Sequence, residues 1–279
     1  MTDLSSTAPI GVFDSGVGGL TVLRALEEAL PSERFVYLGD TARLPYGTKS
    51  ESTVQKYAVQ AARLLVDEGV KALVIACNTA SAVALDALRA AYAKLPVFGV
   101  VEPGAAAACR ASKRGTIAVI ATESTVRGGA YQRAILNIRP DARVLARPCP
   151  LLVSLAEEGW TAGLVPEQVV AAYLGDWLAE TAGPDCLVLG CTHFPILAPL
   201  LKKAAPAGME FVDSAATTAR AVHEALESGV VAAAKSAAAS VPSSRRRLLA
   251  SDGRERFARV GRLFLGEALV PEQVELVDL

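Results

Sequence analysis

The sequence predicts an α/β protein made of two similar open, mainly parallel-sheet domains that face each other across a central cleft. Short apolar runs alternate with amphipathic stretches along nearly the whole chain, the pattern of repeated βα units. Two of the runs end in the same grammar: an apolar stretch, a small residue, a cysteine, then two small polar or imidazole residues. They are Ala72-Leu73-Val74-Ile75-Ala76-Cys77-Asn78-Thr79 and Leu187-Val188-Leu189-Gly190-Cys191-Thr192-His193. The opening strands also match. Ile10-Gly11-Val12-Phe13-Asp14-Ser15 precedes Gly16-Val17-Gly18-Gly19, and Ala118-Val119-Ile120-Ala121-Thr122-Glu123-Ser124 precedes Arg127-Gly128-Gly129. The spacing from Asp14 to Cys77 is close to that from Glu123 to Cys191, as a duplicated unit requires.

In chain order, residues 10–13, 35–38, 72–76 and 97–101 predict the strands of the first set. Each is too short and too continuously apolar for an amphipathic helix and reads as a buried parallel strand. Thr48-Lys49-Ser50-Glu51 has capping-box spacing and opens a helix with Val54, Tyr57, Ala58, Ala61, Leu64 and Leu65 on one face, closed by Gly69. The second set predicts strands at 116–121, 142–146 and 185–189, with a long helix at 166–182 that a proline opens at its first turn. Residues 229–244 are Ala/Ser-rich, end in Val241-Pro242-Ser243-Ser244, and read as a surface connection. A short strand at 248–250, a helix at 254–265 and a last strand near 274–277 follow. Arg245-Arg246-Arg247 reads as a solvated strand entrance. The expected domains are 1–99 with 211–279, carrying Cys77, and 100–210, carrying Cys191.

A chain of 279 residues is long enough for about two domains with a full core. With 28 Lys+Arg against 29 Asp+Glu, the charge balance recruits neither nucleic acid nor an anionic membrane. Met1-Thr2-Asp3-Leu4-Ser5-Ser6-Thr7 has no basic segment and no apolar core, so no secretory signal is expected. No apolar stretch approaches the ~18 residues of a membrane span. The five cysteines, Cys77, Cys109, Cys149, Cys186 and Cys191, are odd in number and lack Cys-x-x-Cys spacing. That argues against a disulfide scaffold and a zinc knuckle and for a cytoplasmic chain with reduced thiols.

The chemistry concentrates at the two cysteines. Open α/β sheets bind ligands at the carboxyl ends of their strands, where Cys77 and Cys191 fall. At a strand-to-helix junction a thiol meets the positive end of the helix dipole and free backbone N–H groups, which lower its pKa from ~8.5 towards neutrality. Cys109, Cys149 and Cys186 read as core filler. Asn78-Thr79 and Thr192-His193 are expected to cap the helices after the cysteines, and the same amides and hydroxyls form a carboxylate-binding end. His193, two residues after a cysteine, is placed to tune thiol protonation or shuttle a proton, whereas His223 reads as a surface residue. Asp14 either caps its helix or holds a substrate ammonium and assists a nearby thiol. The glycines after it fail the dinucleotide fingerprint, because the sixth place counted from Gly16 is Thr21. Pro45-Tyr46-Gly47 lies in a turn-rich loop suited to closing over a small ligand. Two thiols from two similar units supply one acid and one base of similar strength, the pair a racemase needs.

Together these segments resemble the glutamate racemases of the aspartate/glutamate racemase superfamily. The resemblance runs through Gly11-Val12-Phe13-Asp14-Ser15-Gly16-Val17-Gly18-Gly19-Leu20, Gly39-Asp40-Thr41 with Pro45-Tyr46-Gly47, Ala76-Cys77-Asn78-Thr79-Ala80, Gly190-Cys191-Thr192-His193-Phe194-Pro195, and Ser251-Asp252 with Glu255-Arg256-Phe257. It implies Cys77 and Cys191 as the catalytic bases, the latter acting on L-glutamate and the former on D-glutamate, with Asp14 and His193 assisting. It implies Glu157 as a further acid, with Glu158 beside it as the alternative. The substrate site is implied to comprise Asp14, Ser15, Pro45, Tyr46, Gly47, Asn78, Thr79, Thr122, Thr125, Thr192 and His193. It also implies D-glutamate supply for peptidoglycan, a cytoplasmic homodimer, and no metal or cofactor, in keeping with the lack of an evident pyridoxal lysine or metal-ligand spacing. Other readings of the same residues are an aspartate or hydantoin racemase, a cysteine hydrolase on Cys191 and His193, and a two-lobed amino-acid binding module.

Overall fold

The computed structural model describes residues 6–179, 183–234 and 245–279. The described residues form two parallel sheets. In the first half β1 (Ile10–Asp14), α1 (Leu20–Ala29), β2 (Phe35–Gly39), α2 (Glu51–Asp67), β3 (Ala72–Ile75), α3 (Asn78–Ala91), β4 (Val97–Gly99) and α4 (Val101–Ala111) alternate. The second half continues with β5 (Thr116–Ala121), α5 (Glu123–Gly128), α6 (Ala130–Ile138), β6 (Arg143–Pro148), α7 (Pro150–Glu157), α8 (Leu164–Ala179) and β7 (Cys186–Gly190). Then come α9 (Ala198–Ala204), β8 (Glu210–Asp213), α10 (Ser214–Glu227), β9 (Arg246–Ala250), α11 (Arg254–Leu265) and β10 (Val274–Leu276).

The six-stranded sheet runs β10-β9-β2-β1-β3-β4 and the four-stranded sheet runs β6-β5-β7-β8. The order β2-β1-β3-β4 is therefore repeated as β6-β5-β7-β8, with β9 and β10 added at the β2 edge. All pairings are parallel, so β1, β2, β3, β5 and β7, covered on both faces, have nearly every residue buried. Within each repeat the direction in which successive strands are added across the sheet reverses between the first and third strands. The ends of β1 and β3, and of β5 and β7, thus flank a crevice that no connection fills.

Several expected boundaries move. The strand predicted at 97–101 ends at Gly99, because Val101 already opens α4. The capping box predicted at Thr48 is displaced: Thr48 belongs to the short 3-10 turn Tyr46–Thr48, and Ser50 caps α2 by accepting from Thr53 N at 3.4 Å. Gly69 closes that helix in the left-handed region, at φ +75°. The helix predicted at 166–182 is described as Leu164–Ala179, starting two residues ahead of Pro166, and its last three predicted residues lie outside the described segments. Most of the predicted connection at 229–244 lies outside them too.

The expected division at residue 210 falls inside β8, which pairs with β7 in the second sheet. The helix that follows, α10, returns to the first half and packs along α1. Leu23 and Leu26 meet a core that includes Ala219 and Val222, so one apolar cluster runs through both halves. Truncating such a leucine to alanine costs about 2–5 kcal/mol. The arginine run at 245–247 enters β9 as predicted for a solvated strand start, but it is well paired. Arg246 meets Glu27 and Glu267, and Arg247 meets Glu68 and Glu275. No helix among the described residues is long and apolar enough to cross a membrane.

Candidate active site

Cys77 and Cys191 follow the carboxyl ends of β3 and β7, the equivalent strands of the two sheets. Both side chains are buried, and each thiol is close enough to the other that negative charge on Cys191 adds to the upward shift of Cys77. Cys77 itself caps α3, its Sγ accepting from Ala80 N at 3.4 Å, so Asn78 and Thr79 form the first turn of the helix instead of capping it. Beyond Cys191 the chain makes a 3-10 turn, Phe194–Leu197, with no side-chain cap from Thr192 or His193. Both capping expectations thus give way: the Asn78 and Thr79 side chains meet Tyr131, Thr122 and Thr125 of the other half, while those of Thr192 and His193 meet each other, Cys191 and Glu157 within their own.

On the Cys77 side, Ser15 Oγ lies 3.5 Å from Sγ. Asp14 is fully buried, with Oδ2 accepting from Gly16 N at 2.9 Å and Oδ1 without a partner among the described residues. It caps the turn after β1, while α1 begins later, behind Gly19. Burial raises the Asp14 pKa, opposed by His193 and by the amides of Gly16, Gly19 and Ser15. The thiol of Cys77 is pushed up to about 12 by burial and by the Asp14 charge. The lowering expected from the α3 dipole is overturned here, because loss of solvent and a carboxylate neighbour outweigh one helix end.

The Cys191 side is different. His193 Nδ1 lies 3.7 Å from Cys191 Sγ, and its Nε2 lies 3.1 Å from Glu157 Oε1. Burial would lower the imidazole pKa, but the hydrogen bonds to Cys191 and Glu157 outweigh it and lift the group to about 10. Glu157, not Glu158, meets the imidazole, and its second oxygen accepts from Arg256 of α11 at 2.7 Å. Burial would raise Glu157; His193 and Arg256 together hold it low.

Polar contacts stitch the halves together around the thiols. Thr79 Oγ1 lies 3.0 Å from Thr122 Oγ1 and 3.2 Å from Thr125 Oγ1, and Thr122 caps α5. Thr21 Oγ1 donates to the Thr192 carbonyl at 3.2 Å. Gly18 sits where a Cβ would strike Thr192 and His193, and a Cβ on Gly47 would come within 2.7 Å of Thr122. The Pro45-Tyr46-Gly47 segment is held from below: the Tyr46 hydroxyl donates to Asp40, which also accepts from Arg43 at 2.7 Å and Ser251 at 3.0 Å. The structure thus gathers Asp14, Ser15, Tyr46, Gly47, Asn78, Thr79, Thr122, Thr125, Thr192, His193 and Glu157 about the two cysteines.

Sequence reading missed Thr21, Asp40, Tyr131 and the Arg256–Glu157 contact. Arg256 lay within a quoted motif, but nothing in spacing joins α11 to α7. Burial raises the thiols of Cys109, Cys149 and Cys186; negative charge on Cys191 adds to the shift of Cys149, and neither cleft cysteine contributes to those of Cys109 and Cys186. His223 is half-exposed and faces Glu227 at 3.4 Å, as expected of a surface residue. Among the described residues no group of three or more His, Cys, Asp or Glu is arranged to hold a metal ion. A groove of about 1150 Å³ between the β4–α4 and β8–α10 segments contains neither Cys77 nor Cys191.

Comparison with known proteins agrees with this fold. Residues 10–222 match the family model described as Asp/Glu/hydantoin racemase. A glutamate racemase from Geobacter metallireducens is 46% identical over 93% of this chain and 93% of its own length. The crystal structure of glutamate racemase from Francisella tularensis in complex with D-glutamate superposes with a TM-score of 0.86 at 35% identity, covering 98% of both chains. That of glutamate racemase from Thermus thermophilus in complex with beta-chloro-D-alanine does so with 0.84 at 42% identity, covering 99% of this chain and 98% of its own.

Proposed function

The chain belongs to the Asp/Glu/hydantoin racemase family and is an isomerase, and on that premise we propose that it interconverts L- and D-glutamate through two opposed thiols, Cys77 and Cys191. The observation that carries this reading is the pairing of the two cysteines at equivalent strand ends, buried and within electrostatic reach of each other.

The α-proton of glutamate is a very weak acid. A thiolate removes it only where water is excluded and where oriented N–H and O–H groups stabilise charge that moves from Cα into the carboxylate. Buried Asn78, Thr79, Thr125 and Thr192 supply such donors. In the L-to-D direction Cys191 takes the proton from one face and the Cys77 thiol delivers another to the opposite face. In the reverse direction the roles exchange. An imidazolium at His193 sets positive charge beside Cys191, while burial and Asp14 keep Cys77 protonated. Glu157 holds the imidazolium, and Asp14 stands ready to accept a substrate ammonium through its unpartnered oxygen. The substrate assignment rests on relatives named for glutamate. D-glutamate supply for peptidoglycan, a cytoplasmic location and a homodimer belong to the same proposal and rest on the same resemblance.

The test follows circular dichroism of L-glutamate with purified protein, then repeats it in deuterated water. Racemisation is expected, with solvent deuterium at Cα of the D-product and little in the unreacted L-isomer at early times. Early deuterium in the remaining L-glutamate would mean a single base and would sink the two-thiol reading. An optical signal that decays for aspartate but not for glutamate would move the chain to a different substrate.

A further inference from the structure

We propose that Tyr131 is a positioning residue for this reaction: its hydroxyl fixes the Asn78 carboxamide so that Nδ2 is presented as a donor to a carboxylate of the substrate. The inference rests on the glutamate reading and adds a residue that neither sequence motif nor strand-end position had singled out.

Tyr131 lies on α6 in the second half, and its ring is fully buried. Its hydroxyl crosses to the first half and donates to Asn78 Oδ1 at 2.7 Å. Asn78 immediately follows Cys77 and is itself buried. Its other amide atom, Nδ2, has no hydrogen-bond partner among the described residues. A carboxamide has two chemically opposite ends, and a buried one adopts the orientation its neighbours dictate. With the phenol donating to the oxygen, the nitrogen is the end left for a ligand. A buried donor without a partner is rare in folded proteins and is common where a ligand completes it.

The ring is seated by absences. A Cβ on Gly190, the residue before Cys191, would come within 3.1 Å of the Tyr131 ring and 2.9 Å of the Ile120 carbonyl. A Cβ on Gly104 of α4 would come within 3.2 Å of the opposite ring edge. Burial raises the phenol pKa, with negative charge at Cys191 adding to it, so the hydroxyl stays protonated and remains a donor. Tyr131 therefore leans on the strand end that carries Cys191 and touches the residue next to Cys77. As the Cα–H bond breaks, charge grows on the α-carboxylate, and a preoriented N–H there gains strength in the transition state. A carboxamide free to turn would offer its oxygen to the same anion for part of the time.

The experiment compares Tyr131→Phe with wild type for both enantiomers by circular dichroism, with thermal unfolding as the check on folding. The phenylalanine keeps the ring in its slot and removes the hydroxyl alone. We expect a fall in kcat/KM of about tenfold or more with the pH limits unmoved, since no titrating base is lost. We expect Asn78→Ala to lose a similar factor, and the double variant to be no worse than the poorer single one, because both changes remove the same oriented donor. Activity within twofold of wild type in folded Tyr131→Phe, or losses that multiply in the double variant, would overturn the proposal. If Tyr131→Phe does not fold, Asn78→Asp decides. It keeps an acceptor for the phenol and replaces Nδ2 by an anionic oxygen, so D-glutamate binding by calorimetry should weaken at least tenfold. Undiminished binding refutes the assignment. A wild-type chain that does not racemise glutamate removes the function reading itself, and this inference with it.

Discussion

Cys77 and Cys191 occupy matching places in two sheets with the same strand order, yet their surroundings carry opposite charge. Beside Cys77 stand a buried carboxylate, Asp14, and the Ser15 hydroxyl; beside Cys191 stands an imidazole tied to Glu157 and through it to Arg256. The repeated backbone presents two thiols at matching strand ends, and their neighbours are unequal: burial and Asp14 keep the Cys77 thiol protonated, while an imidazole stands beside Cys191. A reaction that needs one acid and one base at the same moment requires both properties. Symmetry of fold alone would give two thiols of equal readiness.

The comparison breaks first at the sulfurs. Replacing Cys77 or Cys191 by alanine should each lower glutamate racemisation by about 10³-fold or more, since each removes a group that moves a proton in the transition state. Cys109→Ala, Cys149→Ala and Cys186→Ala should retain most activity. Circular dichroism of both enantiomers gives the rates. Near wild-type racemisation in folded Cys77→Ala would leave the matched strand ends as a feature of the fold alone.

A smaller change should expose the asymmetry. Because L- and D-glutamate are enantiomers, their equilibrium constant in water is one, and kcat/KM must stay equal in the two directions for every variant. The halves are therefore distinguished by isotope effects measured separately from each side. His193→Asn, which removes the cation beside Cys191, should lower kcat/KM by about 10²-fold and raise the Cα-deuterium effect with L-glutamate. Asp14→Asn should lower kcat/KM equally in both directions and raise the Cα-deuterium effect mainly with D-glutamate. Equal changes from both sides in both variants would show that neighbours of the thiols do not divide the labour.

The pH dependence follows from the same contrast. His193 has a pKa raised to about 10, above its ordinary value near 6.5, so its charged form is favoured by the fold. Its contribution to stability is fully present below pH ~6.5 and is lost as pH rises through about 10. Cys77, raised to about 12, likewise favours the folded state only while it is protonated. Thermal unfolding should therefore show stability declining on the alkaline side, and His193→Asn should flatten the part of that decline between pH 6.5 and 10. An unchanged slope in that variant would show that the imidazole is not the group responsible. The same loss of imidazolium should form the basic limb of kcat/KM in wild type.

Much of this was legible in sequence because parallel strands buried on both faces leave continuous apolar runs, and strand ends in such sheets are where ligands bind. Thr116–Ala121 was read to the residue, and Cys77 and Cys191 fell at their strand ends. Three kinds of feature were not legible. The direction of the Cys77 shift depends on burial and on Asp14, which lies on another strand. The membership of β8 depends on pairing with β7, whereas its successor α10 packs back on α1, so no single cut in sequence separates the halves. Tyr131 sits in an ordinary amphipathic helix, and its importance comes from a hydroxyl contact with Asn78 that sequence separation conceals.

The mildest prediction concerns the outermost link on the Cys191 side. Arg256 is half-exposed, whereas Glu157 is largely buried and His193 more so. An ion pair with one exposed partner contributes only about 0–1 kcal/mol, being screened by water and opposed by the entropy of holding a long side chain. Arg256→Ala should therefore reduce kcat/KM by no more than about fivefold, the factor that 1 kcal/mol allows. Glu157→Gln should do more, because it takes the charge directly from the imidazolium and leaves a neutral amide at 3.1 Å from Nε2. In that variant the basic limb of the pH profile should move to lower pH, as the imidazolium loses the partner that helps to hold its proton. Arg256→Ala should move the same limb slightly the other way, since Glu157 then gives its charge to His193 alone. A larger loss from Arg256→Ala than from Glu157→Gln would mean that Arg256 reaches the substrate by a route other than Glu157 and His193, and the ordering of this half from surface to sulfur would have to be redrawn.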